Sequence, residues 1–237
     1  MRQIIKVAQE EFGLEVVYSH TDSVFIKGGS NSETITKFKL RVAELLNLDD
    51  PDDLDEPKQY EKLLFASTNA YVAFYPNDPE PDPTGGVTAI KSDRPNITRS
   101  TFLKFIKLVR IGDKASAIQL IKDTIRDMKA GKILTKDLVI EKELHKELWE
   151  YDGSPLHVRI AKHLKLRKGD SVKYYHIGKD AKRSRLIEEQ QQGAGIQAYL
   201  DPKNIYIDKY IADFCSDFEK WLIMLDVEDP KEVINSQ

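Results

Sequence analysis

The chain has 237 residues, 41% of them apolar and 32% charged, with a formal net charge of −3. That is enough material for one large domain or two small ones around a real core, with a heavily ionised surface. One cysteine, Cys215, excludes a disulfide framework and any cysteine-ligated zinc or iron–sulfur site within one copy. No signal peptide and no membrane-length apolar run is present, so a cytoplasmic protein is expected.

The overall charge conceals three zones. Residues 84–188 carry 24 Lys and Arg against 13 Asp and Glu, a net of +11, while the rest carries 12 against 26, a net of −14. One reading is an unevenly charged solvated surface. The sharper one is a polyanion-binding middle section between acidic flanks.

In chain order, apolar residues at Ile4, Ile5, Val7, Ala8 and Phe12 recur at helical spacing and end at Gly13, a C-terminal cap. Leu14–Tyr18 then reads as a strand, Ser19–Thr21 as polar punctuation, and Ser23–Lys27 as a second strand. Glu33–Leu46 is an amphipathic helix. An acidic, turn-rich stretch at Asp49–Pro57 leads to Leu63–Phe74, strand-like at both ends. The Pro- and Asp-rich segment Pro76–Pro83, followed by Gly85-Gly86, is the best domain boundary. It predicts domains 1–83 and 84–237. Beyond it, helices are predicted over Thr98–Val109, Lys114–Ala130 and Leu156–Leu164, a strand over Ser171–Ile177, and a long helix over Asn204–Leu225 with Tyr206, Tyr210, Ile211 and Phe214 in its core.

The chemistry concentrates at Tyr18–Phe25 (YSHTDSVF). An acidic residue at a hairpin tip, flanked by small hydroxyl residues, puts a carboxylate where a divalent cation can reach it. Mg²⁺ favours such oxygens and shares its sphere with water and phosphate. Strand alternation predicts His20 and Asp22 on one face, Thr21 and Ser23 on the other. By itself, an Asp at a turn is far more often a turn-former than a ligand.

The run GLEVVYSHTDSVFIK resembles motif C of family B DNA polymerases, usually Tyr-x-Asp-Thr-Asp followed by Ser or Gly. Here Asp22 matches the second Asp, the family's essential metal ligand; Tyr18, Thr21 and Ser23 match their counterparts, and His20 replaces the first Asp. Leu54–Tyr60 resembles the Leu-Glu-x-Glu-Lys-x-Tyr segment, with Asp55 and Pro57 in place of the two Glu. Tyr71 falls where the family has Lys-Lys-Arg-Tyr beside the primer, though Thr68-Asn69-Ala70 has lost both lysines, and a buried strand tyrosine is an equal reading.

Thr84–Thr98 resembles the segment leading from palm to thumb, which makes Lys91, Arg94, Asn96 and Arg99 candidate phosphate donors; a solvated basic helix start is the plain alternative. Leu156–Leu164 (LHVRIAKHL) and Lys168–Tyr175 (KGDSVKYY) are similar to consecutive thumb segments, with His157 read as a packed or capping residue. Lys179, Lys182, Arg183 and Arg185 form a basic loop that could face DNA.

The resemblance implies an α+β fold: a partial palm with a small antiparallel sheet and packed helices, then a mainly helical thumb. It implies nucleotidyl transfer with two Mg²⁺ ions, Mn²⁺ being an alternative through a His20 nitrogen. Motif A, with the other metal-binding Asp, and motif B, which meets the incoming nucleotide, are not in this sequence. One Asp cannot hold two Mg²⁺ ions, so the chain alone is expected to be inactive.

The implied partner is a large subunit carrying motifs A and B, as in archaeal family B polymerases encoded as two polypeptides, with Met1 where such a split would fall. The other partners are primer–template DNA and, in the assembled nucleoid-associated enzyme, dNTP. No clear clamp-binding peptide stands near Val233–Gln237, so a sliding clamp enters by resemblance alone. The competing readings are a catalytically inactive, polymerase-derived DNA-binding or structural module, and a fragment of one longer polymerase.

Overall fold

The computed structural model describes residues 1–20, 22–28, 31–68, 70–82, 94–153, 155–176 and 205–235. The chain divides into two compact units, Met1–Glu61 and Lys62–Gln237. It mixes helices with small two-stranded antiparallel sheets.

The first unit contains helix α1 (Arg2–Glu10), the hairpin β1 (Glu15–His20) and β2 (Ser23–Lys27), and helix α2 (Ser32–Leu46). Gly13, at φ +64°, lets the chain turn back so that the Leu14 N–H reaches the Ala8 carbonyl at 2.8 Å. The Asn31 side chain caps α2 by accepting the Thr34 N–H at 2.7 Å. Between these helices and one face of the hairpin lies a small core of Val7, Ala8, Leu14, Phe38 and Val42, with Val16 and Ile26 packed against it. Arg41 Nε donates to Glu11 at 2.9 Å and ties α2 to the end of α1.

The second unit opens with the hairpin β3 (Lys62–Ser67) and β4 (Ala70–Phe74), followed among the described residues by α3 (Asn96–Arg110), α4 (Lys114–Lys129), β5 (Ile140–Glu143), α5 (Leu156–Leu164), β6 (Ser171–Tyr174), α6 (Ile207–Met224) and α7 (Pro230–Asn235). Its main core joins Val72 and Phe74 of β4 to Phe102, Phe105 and Ile106 of α3, Ile121 and Ile125 of α4, and Phe214, Phe218 and Trp221 of α6. The Phe218 ring stands edge-on to Phe105 at 5.5 Å and lies 4.5 Å from Phe214. Apolar side chains on one stripe of each helix supply this core.

A second, smaller cluster joins Leu144 and Val172 to Ile160 and Ala161 of α5, where β5 and β6 pair antiparallel with Ile140 opposite Tyr174. The segment after β4 is strapped to α3: Lys107 pairs with Glu80, Arg110 donates to the Asp78 carbonyl, and the Arg110 guanidinium lies 4.7 Å from the Phe74 ring centroid. Tyr75 Oη donates to the buried Asp82 carboxylate at 3.0 Å and closes the same strap.

The predicted elements differ mainly at their ends. β1 runs on to His20, because its polar end is on a hairpin arm rather than in a core. The last long helix starts at Ile207, and β6 ends at Tyr174. Strand β5 was not expected; its sequence, Ile-Glu-Lys-Glu, buries only Ile140 fully and alternates with charge. Tyr210 and Phe214 are in the interior, while Tyr206 and Ile211 are only partly covered.

Candidate functional site

The hairpin that carries Asp22 is held by pairing of Glu15 with Lys27, Val16 with Ile26, Tyr18 with Phe25, Ser19 with Val24 and His20 with Ser23, with a bulge between Val16 and Tyr18. Residues directly opposite in an antiparallel pair share a face. Tyr18, His20, Ser23 and Phe25 therefore line one face. Strand alternation had put His20 and Ser23 on opposite faces; the two-residue turn resets the count, and that expectation is corrected. Asp22 is in the turn itself and belongs to neither strand.

This face is built from aromatic rings. Tyr18 lies 5.5 Å from Phe25 across the strands, and 6.5 Å from the His20 ring, nearly parallel to it at 15°. At the tip the Asp22 side chain is exposed. The Ser23 hydroxyl lies 3.3 Å from the His20 carbonyl and 3.5 Å from Asp22 Oδ1, and its single hydrogen serves one of them at a time. The tip is thus a carboxylate and an imidazole on a tight, hydroxyl-braced turn. Thr21 lies outside the described residues.

Octahedral Mg²⁺ requires several oxygen donors. Among the described residues no three His, Cys, Asp or Glu side chains converge to hold a metal. The Asp22 carboxylate suits one share of a divalent-ion site, and its donor set does not amount to a whole one.

Tyr71 lies on β4 opposite Phe65, with ring centroids 5.9 Å apart, and is partly buried. The ring packs and still keeps exposure, so Tyr71 is not a fully buried strand tyrosine.

Among the residues expected to hold phosphates, Arg94 presents its fork to Asp217 of α6, Nε to Oδ2 at 2.6 Å and Nη2 to Oδ1 at 3.0 Å. Asn96 Nδ2 donates to Asp137 at 2.7 Å. The Nε of Arg99 is buried with no acceptor among the described residues. Lys91, Lys179, Lys182, Arg183 and Arg185 lie outside the described residues. The pairing with Asp217 was invisible in sequence, because nothing local marks a carboxylate 123 positions away as the partner of an arginine.

His157 is buried against Tyr151, edge-on at 5.7 Å, as a packed histidine. Burial, helped by nearby Lys142, lowers its pKa below the ordinary value. His176 is likewise lowered, by burial and then by Lys209, and its backbone N–H donates to Tyr210 Oη at 2.9 Å. Burial also drives the Tyr210 phenol far upward. These groups stay neutral inside the second unit and serve its packing.

A family model described as DNA polymerase family B matches residues 1–220, and the chain belongs to that family. It is 25% identical over 179 residues to a DNA polymerase of Thermococcus kodakarensis, covering 72% of this chain and 11% of that protein. It is 27% identical over 212 residues to the DNA polymerase delta catalytic subunit of Oryza sativa subsp. japonica, covering 84% of this chain and 19% of that protein. The fold resembles the family B DNA polymerase from Pyrobaculum calidifontis, with a TM-score of 0.51 and 23% identity over 95% of this chain and 28% of that one. The chain thus spans only about a tenth to a fifth of the length of these two curated relatives. No helix among the described residues is long and apolar enough to cross a membrane.

Proposed function

We propose that this chain supplies the motif C carboxylate and the duplex-gripping thumb of a DNA-directed DNA polymerase, with motifs A and B carried by a large partner subunit. On this reading residues 1–83 complete the palm and residues 84–237 form the thumb. The observation that carries it is Asp22, exposed at the tip of a two-residue hairpin turn inside the segment matched to the family.

In the assembled heterodimer Asp22 is one ligand of a divalent-ion site whose remaining carboxylates come from motif A. When bound, the ions stabilise the attacking and leaving oxygens of an in-line phosphoryl transfer. The chain's own residues do the positioning. The Tyr18, His20 and Phe25 rings stiffen the hairpin face behind the tip, and Thr21 and Ser23 shape the turn. Tyr71 stands by the primer strand, and the thumb tracks the primer–template duplex by its phosphates, which position DNA without reading sequence. Incoming dNTP is met by motif B of the partner.

The test is reconstitution with a polypeptide carrying motifs A and B. Extension of a labelled primer that is lost in Asp22→Ala, with assembly of the two polypeptides retained, supports the assignment. Unchanged extension defeats it. A second reading, an inactive polymerase-derived DNA-binding module, is favoured by His20 in place of the first motif C Asp and by Thr68-Asn69-Ala70 in place of the lysines. No extension by the wild-type pair, with duplex binding intact, selects that reading.

A further inference from the structure

Trp149 is 80% exposed, the most open large apolar side chain among the described residues. The turn that carries it is braced. The Glu147 N–H donates to the Glu150 carboxylate at 2.9 Å, the Glu150 N–H to the Glu147 carbonyl at 2.9 Å, and the Lys146 N–H to Tyr151 Oη at 3.3 Å. Leu148 and Tyr151, on either side in sequence, pack onto the cluster of Leu144, Ile160, Ala161 and Val172. The turn is thus anchored before and after an indole that is left in water. Tryptophan is enriched among the residues that carry binding energy at protein interfaces, where its large ring buries much area.

Both signs of charge accompany this ring. Its own turn holds Glu147, Glu150 and Asp152, and the segment after α5 holds Lys165, Arg167 and Lys168. The two segments are tied together, because the Leu144 N–H donates to the Asp170 carbonyl at 2.9 Å and the Gly169 N–H to the Leu144 carbonyl at 2.8 Å. Leu164 and Leu166 also lie on the cluster that seats Leu148 and Tyr151. None of these six charges forms an ion pair among the described residues, whereas Lys173 and Glu141 of the adjoining strands do. Unpaired cations alone identify no ligand, since Lys104, Lys122, Lys136 and Lys220 are also without an ion pair among the described residues. What distinguishes this place is an uncovered indole with acids on its own turn and bases on the segment tied to it.

The occupant follows from that combination. Three carboxylates within three residues of Trp149 repel a phosphate chain, so a stacked nucleobase is disfavoured there. A two-fold axis instead sets such a patch against itself, and the acids of each copy then meet the bases of the other. We propose that Trp149 is the centre of a two-fold interface between two copies of this chain. In it Glu147, Glu150 and Asp152 of each copy face Lys165, Arg167 and Lys168 of the other. One aromatic anchor with a charged rim makes a small contact, so the association is weak, with a Kd of roughly tens of micromolar, and sensitive to salt. Nothing in this pairing uses Asp22, and its failure leaves the polymerase reading untouched.

Sedimentation velocity of the full chain, at about 5 to 300 μM in about 50 and 500 mM NaCl, provides the test. Wild type should pass from monomer to dimer over that range at low salt and stay largely monomeric at high salt. Trp149→Ala, an exposed position that the fold tolerates, should weaken association at least tenfold. Complementation tests the charges. A variant with Glu147→Lys and Asp152→Lys, which keeps the Glu150 brace, and another with Lys165→Glu and Lys168→Glu should each be monomeric alone, because like charges then meet across the axis. Mixed in equal amounts they should form a one-to-one complex, since opposite signs face each other again at both contacts. Trp149→Ala in both should remove that complex, which separates a built interface from bulk attraction between oppositely charged proteins. Wild type that stays monomeric, a dimer unchanged by Trp149→Ala, or folded variants that do not associate when mixed overturn the proposal. Should a charge variant not fold, the Trp149→Ala comparison decides alone. Two other occupants are read from wild type that stays monomeric. Binding to single-stranded oligothymidylate that is lost in Trp149→Ala puts a nucleobase on the indole, and assembly with a motif A and B polypeptide lost in the same variant puts that subunit there. Either result overturns the two-fold pairing.

Discussion

Arg94 and Asp217, 123 positions apart in sequence, form a two-pronged ion pair at 2.6 and 3.0 Å that fastens the start of α3 to α6. Only 6% of the Asp217 side chain is exposed, against 29% for Arg94, so the carboxylate end of the pair is largely desolvated. Removing Arg94 would strand it. Arg94→Ala should therefore cost about 2–4 kcal/mol, below the upper range for fully buried pairs because one partner keeps some solvent. Thermal unfolding of Arg94→Ala, Asp217→Ala and the double variant checks this. Additive losses would mean that the two side chains are not coupled.

Phe218 is fully buried and touches the rings of Phe102, Phe105 and Phe214. Phe218→Ala leaves a cavity that three rigid rings cannot refill, and should cost about 3–5 kcal/mol. Phe218→Leu should cost clearly less. Chemical denaturation of the two variants gives the comparison, and equal losses would place Phe218 outside the packed centre.

The two neutral histidines set an acid limb of stability. Both His157 and His176 have folded pKa values below the ordinary 6.5. Between those lowered values and 6.5 the unfolded chain binds more protons than the folded one, so stability rises with pH across that window and falls on acidification. Denaturation midpoints between pH 7.5 and 5 should decline, and His157→Gln combined with His176→Gln should flatten the decline. Glu11 and Asp113, lowered by Arg41 and by the Ser116 N–H respectively, act only in the carboxylate range below it. A slope unaffected by the double substitution would assign the decline elsewhere.

If the proposed function holds, metal preference in the reconstituted pair should depend on His20. Its ring shares a face with Tyr18, beside the Asp22 tip. His20→Asp restores the residue usual in the family and should raise extension with Mg²⁺ relative to Mn²⁺ by severalfold. Identical Mg²⁺ and Mn²⁺ dependence in both proteins would remove the imidazole from any role at the ion.

Cys215 is buried on α6, and burial lifts its thiol to about 11. At pH 8 about one molecule in a thousand is then a thiolate, so modification by a thiol reagent should be slow until the second unit unfolds. Rapid labelling of native protein would contradict the packing around α6.

Much of this was legible from residue types alone. Helical spacing over Thr98–Val109 marked α3 itself, and the residues around Asp22 marked the hairpin tip. Facing across the turn was not legible, since alternation holds along a strand and a two-residue turn breaks it. Nor was the use of charge. Lys162 and Arg94 look alike as letters, yet one is left open at a helix end and the other is occupied by a carboxylate brought in from α6. Those distinctions arise from long-range contacts, which no local pattern encodes.

Among the described residues of the sixty-one-residue first unit, only six apolar side chains are buried. So little buried apolar surface leaves a small margin against chain entropy, and opening of that unit need not wait for the second. Amide protons of β1 and β2 should exchange with deuterium through a lower-energy route than those of α3 and α6. The hairpin bearing Asp22 at its turn would then be the loosest structured part of the molecule until something binds and holds it. On the proposed function, turnover with a partner polypeptide would depend on how long that clasp lasts.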